Sequence, residues 1–311
     1  MHSTARISLL ERLRILHETL QDTYLIDQAP ANIDHNEKAR FLRNGLSIIA
    51  FNILEDFLKM RMTELLNKIA GCGITFHDLP DKMQHIALLN SLKGIQVVGS
   101  RKQKNLEDWK LFIQQEALKI SSINASPFQI STYGIGWEKS NLDAEDVPLF
   151  LKIFHIDGAW RAIQEITSAI GCTIPSPKDF FQNAALRRHS AAHDPTTGSL
   201  YTDLADFTST VRSFAASIDF LLSFATRLIT TGDNDYLNNK RKVVYTDLSF
   251  RYIQRHGSLF KEMSQTNTIS IANFHNLSDA VASLKSRTNF ANESIVVIDY
   301  PSKVYSWFTN L

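Results

Sequence analysis

The feature that most constrains the fold is one uninterrupted apolar stripe between Asp203 and Thr231. Its members recur every three or four residues, which is the spacing of one side of an α-helix: Leu204, Phe207, Val211, Phe214, Ile218, Leu221, Ala225 and Leu228. Gly232 is suited to end this helix. Because so long a stripe must be buried against other helices, the pattern predicts a mainly α fold.

Helical periodicity also covers most of the chain before this point. Ser176 and Pro177 open one well-marked helix, since serine suits the N-cap and proline suits the first helical position, and Pro195 ends it. Further helices are predicted at residues 4–26, 36–70, 81–93, 105–121 and 147–171, the last with an interruption near residues 155–158.

The pattern changes after Gly232, where short β-branched runs replace the helical spacing. Strands are predicted at residues 243–245, 268–271 and 294–299. We therefore expect a helical domain at residues 1–232 and a small α+β C-terminal region at residues 233–311, to which the sequence assigns no role.

Charge and cysteine content narrow the classes of function. The 33 Lys+Arg and 32 Asp+Glu residues give a net charge of +1, which argues against a protein that coats nucleic acid by bulk charge. Cys72 and Cys172 are too few for a disulfide framework or a cysteine-rich zinc site. With no apolar leader and no run of about 18 apolar residues, we expect a cytoplasmic protein without a membrane partner.

The most informative residue is Arg188, which projects from the middle of an apolar, small-residue side of the helix that begins at Pro177. A guanidinium in such a contact needs an anion or a wet cleft, because an unpaired buried charge is costly. We therefore expect Arg188 to lie where two helical surfaces meet, with its charge directed at a negative group. That side comprises Phe180, Phe181, Ala184, Ala185, Ala191 and Ala192.

His193 follows Arg188 by five positions, which on a regular helix is a rotation of about 140°. The two side chains therefore diverge unless one of two things happens. Either the last turn distorts before Pro195, or two copies of the helix pair and share a cleft. Both routes favour a site at a helix end against a partner helix.

The string Arg188-His189-Ser190-Ala191-Ala192-His193 resembles the signature of the HEPN superfamily, which is an Arg, a polar residue, a short spacer and a His. The context is similar too, because a proline turn and a long amphipathic helix follow the motif. Residues 43–58 look like the long early helix of such proteins, with its inward acid. The resemblance covers roughly residues 5–231, is closest to the RiboL-PSP branch, and implies an antiparallel helical bundle, here with inserted helices at residues 80–150.

What the resemblance implies is a homodimeric, metal-independent endoribonuclease without a cofactor. Such proteins often serve as toxins or phage-defence effectors that an antitoxin or other inhibitory partner controls. The ribose 2′-OH attacks the adjacent phosphorus and leaves a 2′,3′-cyclic phosphate, so the nucleophile is tethered to the RNA substrate. In that chemistry His193 transfers protons and Arg188 holds the phosphate.

Several neighbours of these two residues are candidates for supporting roles. Asp194 and His189 are expected to support His193. Glu55 either pairs with a neighbouring base or orients Arg188 or His193. Neither alternative is favoured.

Basic residues supply the expected contacts to the RNA backbone. Arg187 is adjacent to the motif, and Arg101, Lys102 and Lys104 cluster in a loop that contains glycine and serine. Runs of this kind are usually solvated surface. In a ribonuclease they would bind phosphates, with an affinity that falls as salt rises.

Three other interpretations stay open at this point. Arg188 can form an interhelical ion pair while His193 interacts with the helix dipole. His189, His193 and Asp194 have spacing that can hold zinc, but the catalytic His-Glu-x-x-His form needs a glutamate where Ser190 stands, so no metal is expected. The third interpretation is a non-catalytic scaffold or regulatory module that binds RNA or protein.

Overall fold

The computed structural model of the chain describes residues 3–137, 139, 141–194, 196–264, 266–287, 292–299 and 302–311. It is mainly helical with a small C-terminal sheet. The helices are α1 (Thr4–Thr19), α2 (Ile33–Ala70), α3 (Asp81–His85), α4 (Ser91–Lys104), α5 (Trp109–Ser121), α6 (Asp146–Ile153), α7 (Ala159–Ala169), α8 (Pro177–His193), α9 (Tyr201–Thr230), α10 (Asn234–Leu237) and α11 (Leu277–Arg287). The strands are β1 (Ser249–His256), β2 (Leu259–Met263), β3 (Ser270–Phe274), β4 (Glu293–Asp299) and β5 (Lys303–Phe308).

The break predicted at residues 94–105 is wrong. A π-helical turn at Ile86–Asn90 joins α3 to α4, so the chain is helical from Asp81 to Lys104. Gly94 lies inside α4, where an added Cβ would come within 1.8 Å of the Tyr133 carbonyl oxygen. This glycine therefore permits a close backbone approach instead of ending a helix.

The strand predicted at residues 243–245 is also wrong, because Tyr245–Asp247 form one 3₁₀ turn. The runs at residues 268–271 and 294–299 overlap β3 and β4, while β1, β2 and β5 were not predicted. Charged and polar residues interrupt the apolar residues of β1 and β2, for example Arg251 and Lys261, which weakens their strand signal.

The sheet has the order β3-β2-β1-β4-β5, in which only β1 and β4 are parallel. Helix α11 covers one face, where Ile253, Leu284, Ile295 and Val297 are almost completely buried. Because β4 is buried on both faces, it reads as a continuous apolar run rather than an alternating one.

The chain divides into two compact units, and the first comprises residues 1–57, 160–220 and 245–310. Within it the sheet shares a core with helical residues. The Trp307 ring lies 6.1 Å from that of Phe57, and its Nε1 donates to a carboxylate oxygen of Asp219 at 2.7 Å. Phe250 lies 5.1 Å from Phe220. The expected boundary at residue 232 therefore does not coincide with the division into units.

The second unit comprises residues 58–159, 221–244 and 311. One of its apolar clusters is centred on Phe112, which meets Tyr133 edge-on at 5.1 Å. Tyr236 is fully buried and donates its hydroxyl proton to the carbonyl oxygen of Phe154.

Helix α9 is long and apolar enough to cross a membrane by composition alone. However, 89% of its most apolar window is buried within the protein. Such burial is typical of a core helix in a soluble protein, whose apolar stripe packs against other elements.

Candidate functional site

Helix α8 carries the candidate motif, and local signals determine where it begins and ends. The Ser176 hydroxyl accepts from the backbone N–H of Asp179 at 3.3 Å, and Pro177 occupies the first helical position. The helix continues without a break to His193, and Asp194 is its C-cap. The predicted bounds of this helix are confirmed.

Aromatic packing fixes the N-terminal half of α8. Phe181 is fully buried and meets Phe51 of α2 edge-on at 5.3 Å. It also lies 5.8 Å from Phe214 of α9, while Phe180 stacks on Phe207 at 5.6 Å. These contacts hold the N-terminal half of α8 between α2 and α9.

Side chains of α2 bind the segment that follows α8. Arg40 donates to the carbonyl oxygen of Thr196, and Asn44 donates to that of Thr197, both at 2.7 Å. Asn44 also accepts from the backbone N–H of Ser199 at 3.0 Å. We call Arg40, Arg43 and Asn44, together with residues 196–199, the α2 clasp.

Arg43 is the centre of the α2 clasp and is only 4% exposed. Its Nε donates to the carbonyl oxygen of Ser199 at 2.7 Å, and its Nη1 donates to that of Leu25 at 2.8 Å. The Asp27 carboxylate accepts from both Nη atoms at 2.9 and 3.2 Å. The guanidinium is therefore bonded at all three nitrogens, which is the arrangement that makes a buried arginine tolerable.

Arg188 is bonded quite differently. It is partly buried, and its Nε is shielded from solvent without a hydrogen-bond partner. Within the described part of the chain, the guanidinium makes no hydrogen bond or ion pair. An unsatisfied buried donor costs about 1–3 kcal/mol, and more when it is charged. Arg188 therefore has unused capacity to bind an anion.

Arg187 lies beside Arg188 but has a different environment. Burial lowers its pKa, while the negative charges of Asp203 and Asp206 at the start of α9 oppose that effect. Asp203 and Asp206 would therefore compete with RNA phosphates for Arg187, which is predicted to contact RNA.

His193 and His189 are exposed one turn apart, with ring centroids 4.7 Å apart and an angle of 51° between the rings. Because α8 stays helical through His193, the distorted last turn that would bring His193 to Arg188 is not observed. On a regular helix the two side chains diverge by about 140°. Of the two routes to a shared site, only the pairing of two copies is compatible with this geometry.

Asp194 organises the turn after α8. Its carboxylate accepts from the hydroxyls of Thr196 and Thr197, and from the backbone N–H of Thr196, at 2.6–2.8 Å. The hydrogen bond from the Thr196 side chain is the largest cause that lowers the Asp194 pKa to about 2. These hydrogen bonds occupy the Asp194 carboxylate within the turn. They bind it to Thr196 and Thr197, whose carbonyl oxygens the α2 clasp also binds.

Glu55 is buried within α2, at 5% exposure. Among the described residues, neither Arg188 nor His193 forms a hydrogen bond or an ion pair with it. Its neighbour Asp56 is half exposed and accepts from Arg12 at 2.6 Å. A role for Glu55 in the site would therefore be indirect.

The basic residues Arg101, Lys102 and Lys104 belong to the last turn of α4 rather than to the expected loop. Cations are favourable there because the helix dipole is negative at its C-terminus. Lys102 also pairs with Glu107 at 2.5 Å. Arg101 and Lys104 are exposed, so they can contact a polyanion.

No group of three or more His, Cys, Asp or Glu side chains in the described ranges is arranged to hold a metal ion. The pair of His189 and His193 therefore has no third ligand of these types beside it within those ranges.

The α2 clasp has no signal in the local sequence. Its partners are separated by about 155 positions along the chain, as Asn44 and Ser199 are. Nothing in the local sequence distinguishes Arg43, which is bonded at all three nitrogens, from Arg188, which is not. Only the tertiary contacts separate the two.

No protein-family model, no curated protein and no solved structure was found to match the chain.

Proposed function

We propose that the chain is a metal-independent endoribonuclease with a HEPN-like helical bundle, acting as a homodimer in the cytoplasm. The observation that carries the proposal is the Arg188 guanidinium, which is partly buried and has no partner in the described residues. RNA supplies a phosphate for it at every linkage, and arginine binds phosphate oxygens through several donors at once.

The proposed chemistry uses a nucleophile that the substrate already carries. The ribose 2′-oxygen attacks the adjacent phosphorus, and the bond from phosphorus to the 5′-oxygen breaks. This leaves a 2′,3′-cyclic phosphate and a 5′-hydroxyl. His193 moves a proton from the attacking hydroxyl or to the leaving oxygen, because the usual pKa of imidazole is near neutral. Arg188 stabilises the additional negative charge of the transition state.

The geometry of α8 supports an arrangement in which two copies contribute to one site. Within one chain Arg188 and His193 project about 140° apart, so they do not meet at one phosphate. In a two-fold pair, Arg188 of one copy and His193 of the other can face the same cleft. The small side chains Ala185, Ala191 and Ala192 would let the two helices approach closely.

Three other residues and an inhibitory partner have supporting roles in the proposed function. His189 lies beside His193, with the rings tilted at 51°, and restricts the orientations of the His193 ring. Arg101 and Lys104, which are exposed, contact the RNA backbone. An antitoxin or inhibitory partner would act by covering the exposed end of α8.

The test is incubation of the purified full chain with total RNA in EDTA, with the product ends identified by mass spectrometry. Wild type should cut and leave 2′,3′-cyclic phosphates, whereas His193→Ala and Arg188→Met should lose about 10²-fold or more in rate. Matched controls are the exposed His275→Ala and Arg161→Ala, and both should cut normally.

Two outcomes would contradict the proposal. Cutting that disappears in EDTA would indicate metal-dependent chemistry. Equal cutting by wild type and His193→Ala would place the activity elsewhere.

A second candidate is a module that binds RNA without cutting it. It is favoured by the His193 ring, which meets the His189 ring but forms no hydrogen bond or ion pair among the described residues, so no acid or carbonyl orients it. Fluorescence polarisation with a labelled RNA would show binding that Arg188→Met weakens, while the RNA stays intact in the presence of wild type.

A further inference from the structure

A cavity of about 470 Å³ lies within the first unit, on elements other than α8. It is lined by the end of α1 and the turn after it, by one side of α9, and by the facing ends of β4 and β5. Tyr201, Ala205, Thr208 and Arg212 recur every three or four residues along α9, so they share the side that borders the cavity. Volumes of roughly 300–1,000 Å³ are typical of sites for small molecules.

The cavity has an excess of positive charge. Arg212 and Lys303 line it, and neither forms an ion pair or hydrogen bond with another residue in the described ranges. Among the described lining residues Asp299 is the one acid, and it already accepts from Arg255 at 3.3 Å. His17, at the end of α1, adds an imidazole N–H that can donate a hydrogen bond to an anion.

Arg212 is the residue that most needs a ligand. Its Nε is buried without a partner, and burial lowers the pKa of the guanidinium. A desolvated cation is stabilised best by an anion that accepts several of its hydrogen bonds. Arg43 in the same unit has such acceptors within the protein, whereas Arg212 lacks them in the described part of the chain.

The remaining lining is suited to an organic group. Leu20, Ala205 and Val304 supply apolar surface. The Tyr201 hydroxyl donates to the carbonyl oxygen of Leu20, the C-cap of α1, at 3.0 Å, and the Thr208 hydroxyl donates to that of Ala205 at 2.9 Å. Both residues line the cavity, and each hydroxyl oxygen can still accept a hydrogen bond. Cationic groups beside apolar surface and hydroxyl acceptors match a phosphate joined to a sugar or base.

We propose that this cavity binds a phosphorylated small molecule of about nucleotide size, with its phosphate on Arg212 and Lys303 and its organic part on Leu20, Ala205 and Val304. The proposal is independent of ribonuclease activity, because it uses none of the residues of α8.

Calorimetric titration of the full chain with AMP, inorganic phosphate and adenosine tests this assignment. AMP should bind wild type, phosphate should compete with it, and adenosine should bind at least tenfold more weakly than AMP. Arg212→Gln should weaken AMP binding at least tenfold. Absence of AMP binding would overturn the proposal, as would equal binding of adenosine and AMP, or phosphate binding without AMP binding.

Three further variants separate ligand binding from folding and from net charge. Lys303→Gln changes an exposed residue and should weaken AMP binding even where Arg212→Gln does not fold. Ala205→Leu keeps every charge but places a larger side chain in the part of the cavity proposed for the organic group, and should weaken AMP binding at least tenfold. Arg14→Gln removes a cation that pairs with Glu11 and Glu18 on the exposed side of α1, and should bind AMP like wild type. Unchanged AMP binding by both Lys303→Gln and Ala205→Leu would refute the site.

Discussion

The α2 clasp and the C-terminal half of α8 use the same kind of side chain in opposite ways. In the clasp, all three nitrogens of Arg43 are bonded to two carbonyl oxygens and the Asp27 carboxylate. On α8, Arg188 keeps a buried Nε with no acceptor in the described residues. Arg40 of the clasp also has a buried Nε without an acceptor, but its two Nη atoms donate to Thr196 and Glu37. Arg188 makes no hydrogen bond or ion pair among the described residues, and its proposed role in phosphate binding rests on that difference.

The largest stability difference should come from exchanging the two arginines for an apolar residue. Arg43→Met leaves two buried carbonyls and Asp27 without their donor, and should lower the free energy of unfolding by about 3 kcal/mol. Arg188→Met removes an unpaired charge and its unsatisfied buried donor, so it should keep the free energy of unfolding at the wild-type value or raise it by up to about 3 kcal/mol. Urea unfolding followed by circular dichroism measures both. Similar losses of unfolding free energy in the two variants would contradict the difference between Arg43 and Arg188.

Loss of the buried hydrogen bond between Trp307 and Asp219 should lower stability by a smaller amount. Trp307→Phe removes the donor to the buried Asp219 carboxylate and part of a fully buried ring, and should cost about 2 kcal/mol. RNA cleavage per folded molecule should stay at the wild-type rate, because Trp307 serves the core of the sheet. Thermal unfolding and the cleavage assay together test this, and loss of cleavage in a folded protein would contradict it.

Glu55 tests whether a buried acid acts on Arg188 from a distance. Since Glu55 forms no hydrogen bond or ion pair with Arg188 or His193 in the described structure, Glu55→Gln should keep the cleavage rate within about threefold of wild type. The rate is measured at a substrate concentration well below saturation, with unfolding checked in parallel. A tenfold or larger fall in the cleavage rate of a stable Glu55→Gln protein would show that Glu55 contributes to the site.

The smallest effect concerns the loop between α8 and the α2 clasp. The pKa of Asp194 is about 2 in the folded protein, below its usual value of about 3.9. Its contribution to stability is therefore complete above about pH 4 and is lost as pH falls toward 2. Asp194→Asn should flatten that part of the curve of unfolding free energy against pH. An unchanged acid limb would mean that Asp194 does not anchor the loop.

The sequence predicted those parts of the fold that local signals determine. Local patterns predicted the caps of α8, the end of α2 at Ala70 and the apolar stripe of α9, because each depends on neighbours within a few residues. The helical glycine Gly94 and strand β1 were misread, because a close contact with Tyr133 and a pairing with β4 determine their conformation.

The candidate site was predictable only to the same extent. The sequence showed an arginine on the apolar side of a helix and a histidine, His193, five positions after it. Whether an internal acid satisfies that arginine depends on tertiary contacts between distant segments. The cavity at Arg212 was missed for the same reason, since three separate segments of the chain form it.

Mixing two inactive variants tests the central claim most directly, which is that Arg188 and His193 meet only across two copies. Arg188→Met and His193→Ala are unfolded together, refolded as a mixture and assayed for RNA cleavage in EDTA. Half of the dimers would contain both variants, and each of these would keep one intact site of two. The account therefore predicts about a quarter of wild-type activity. A mixture as inactive as either variant alone would contradict it.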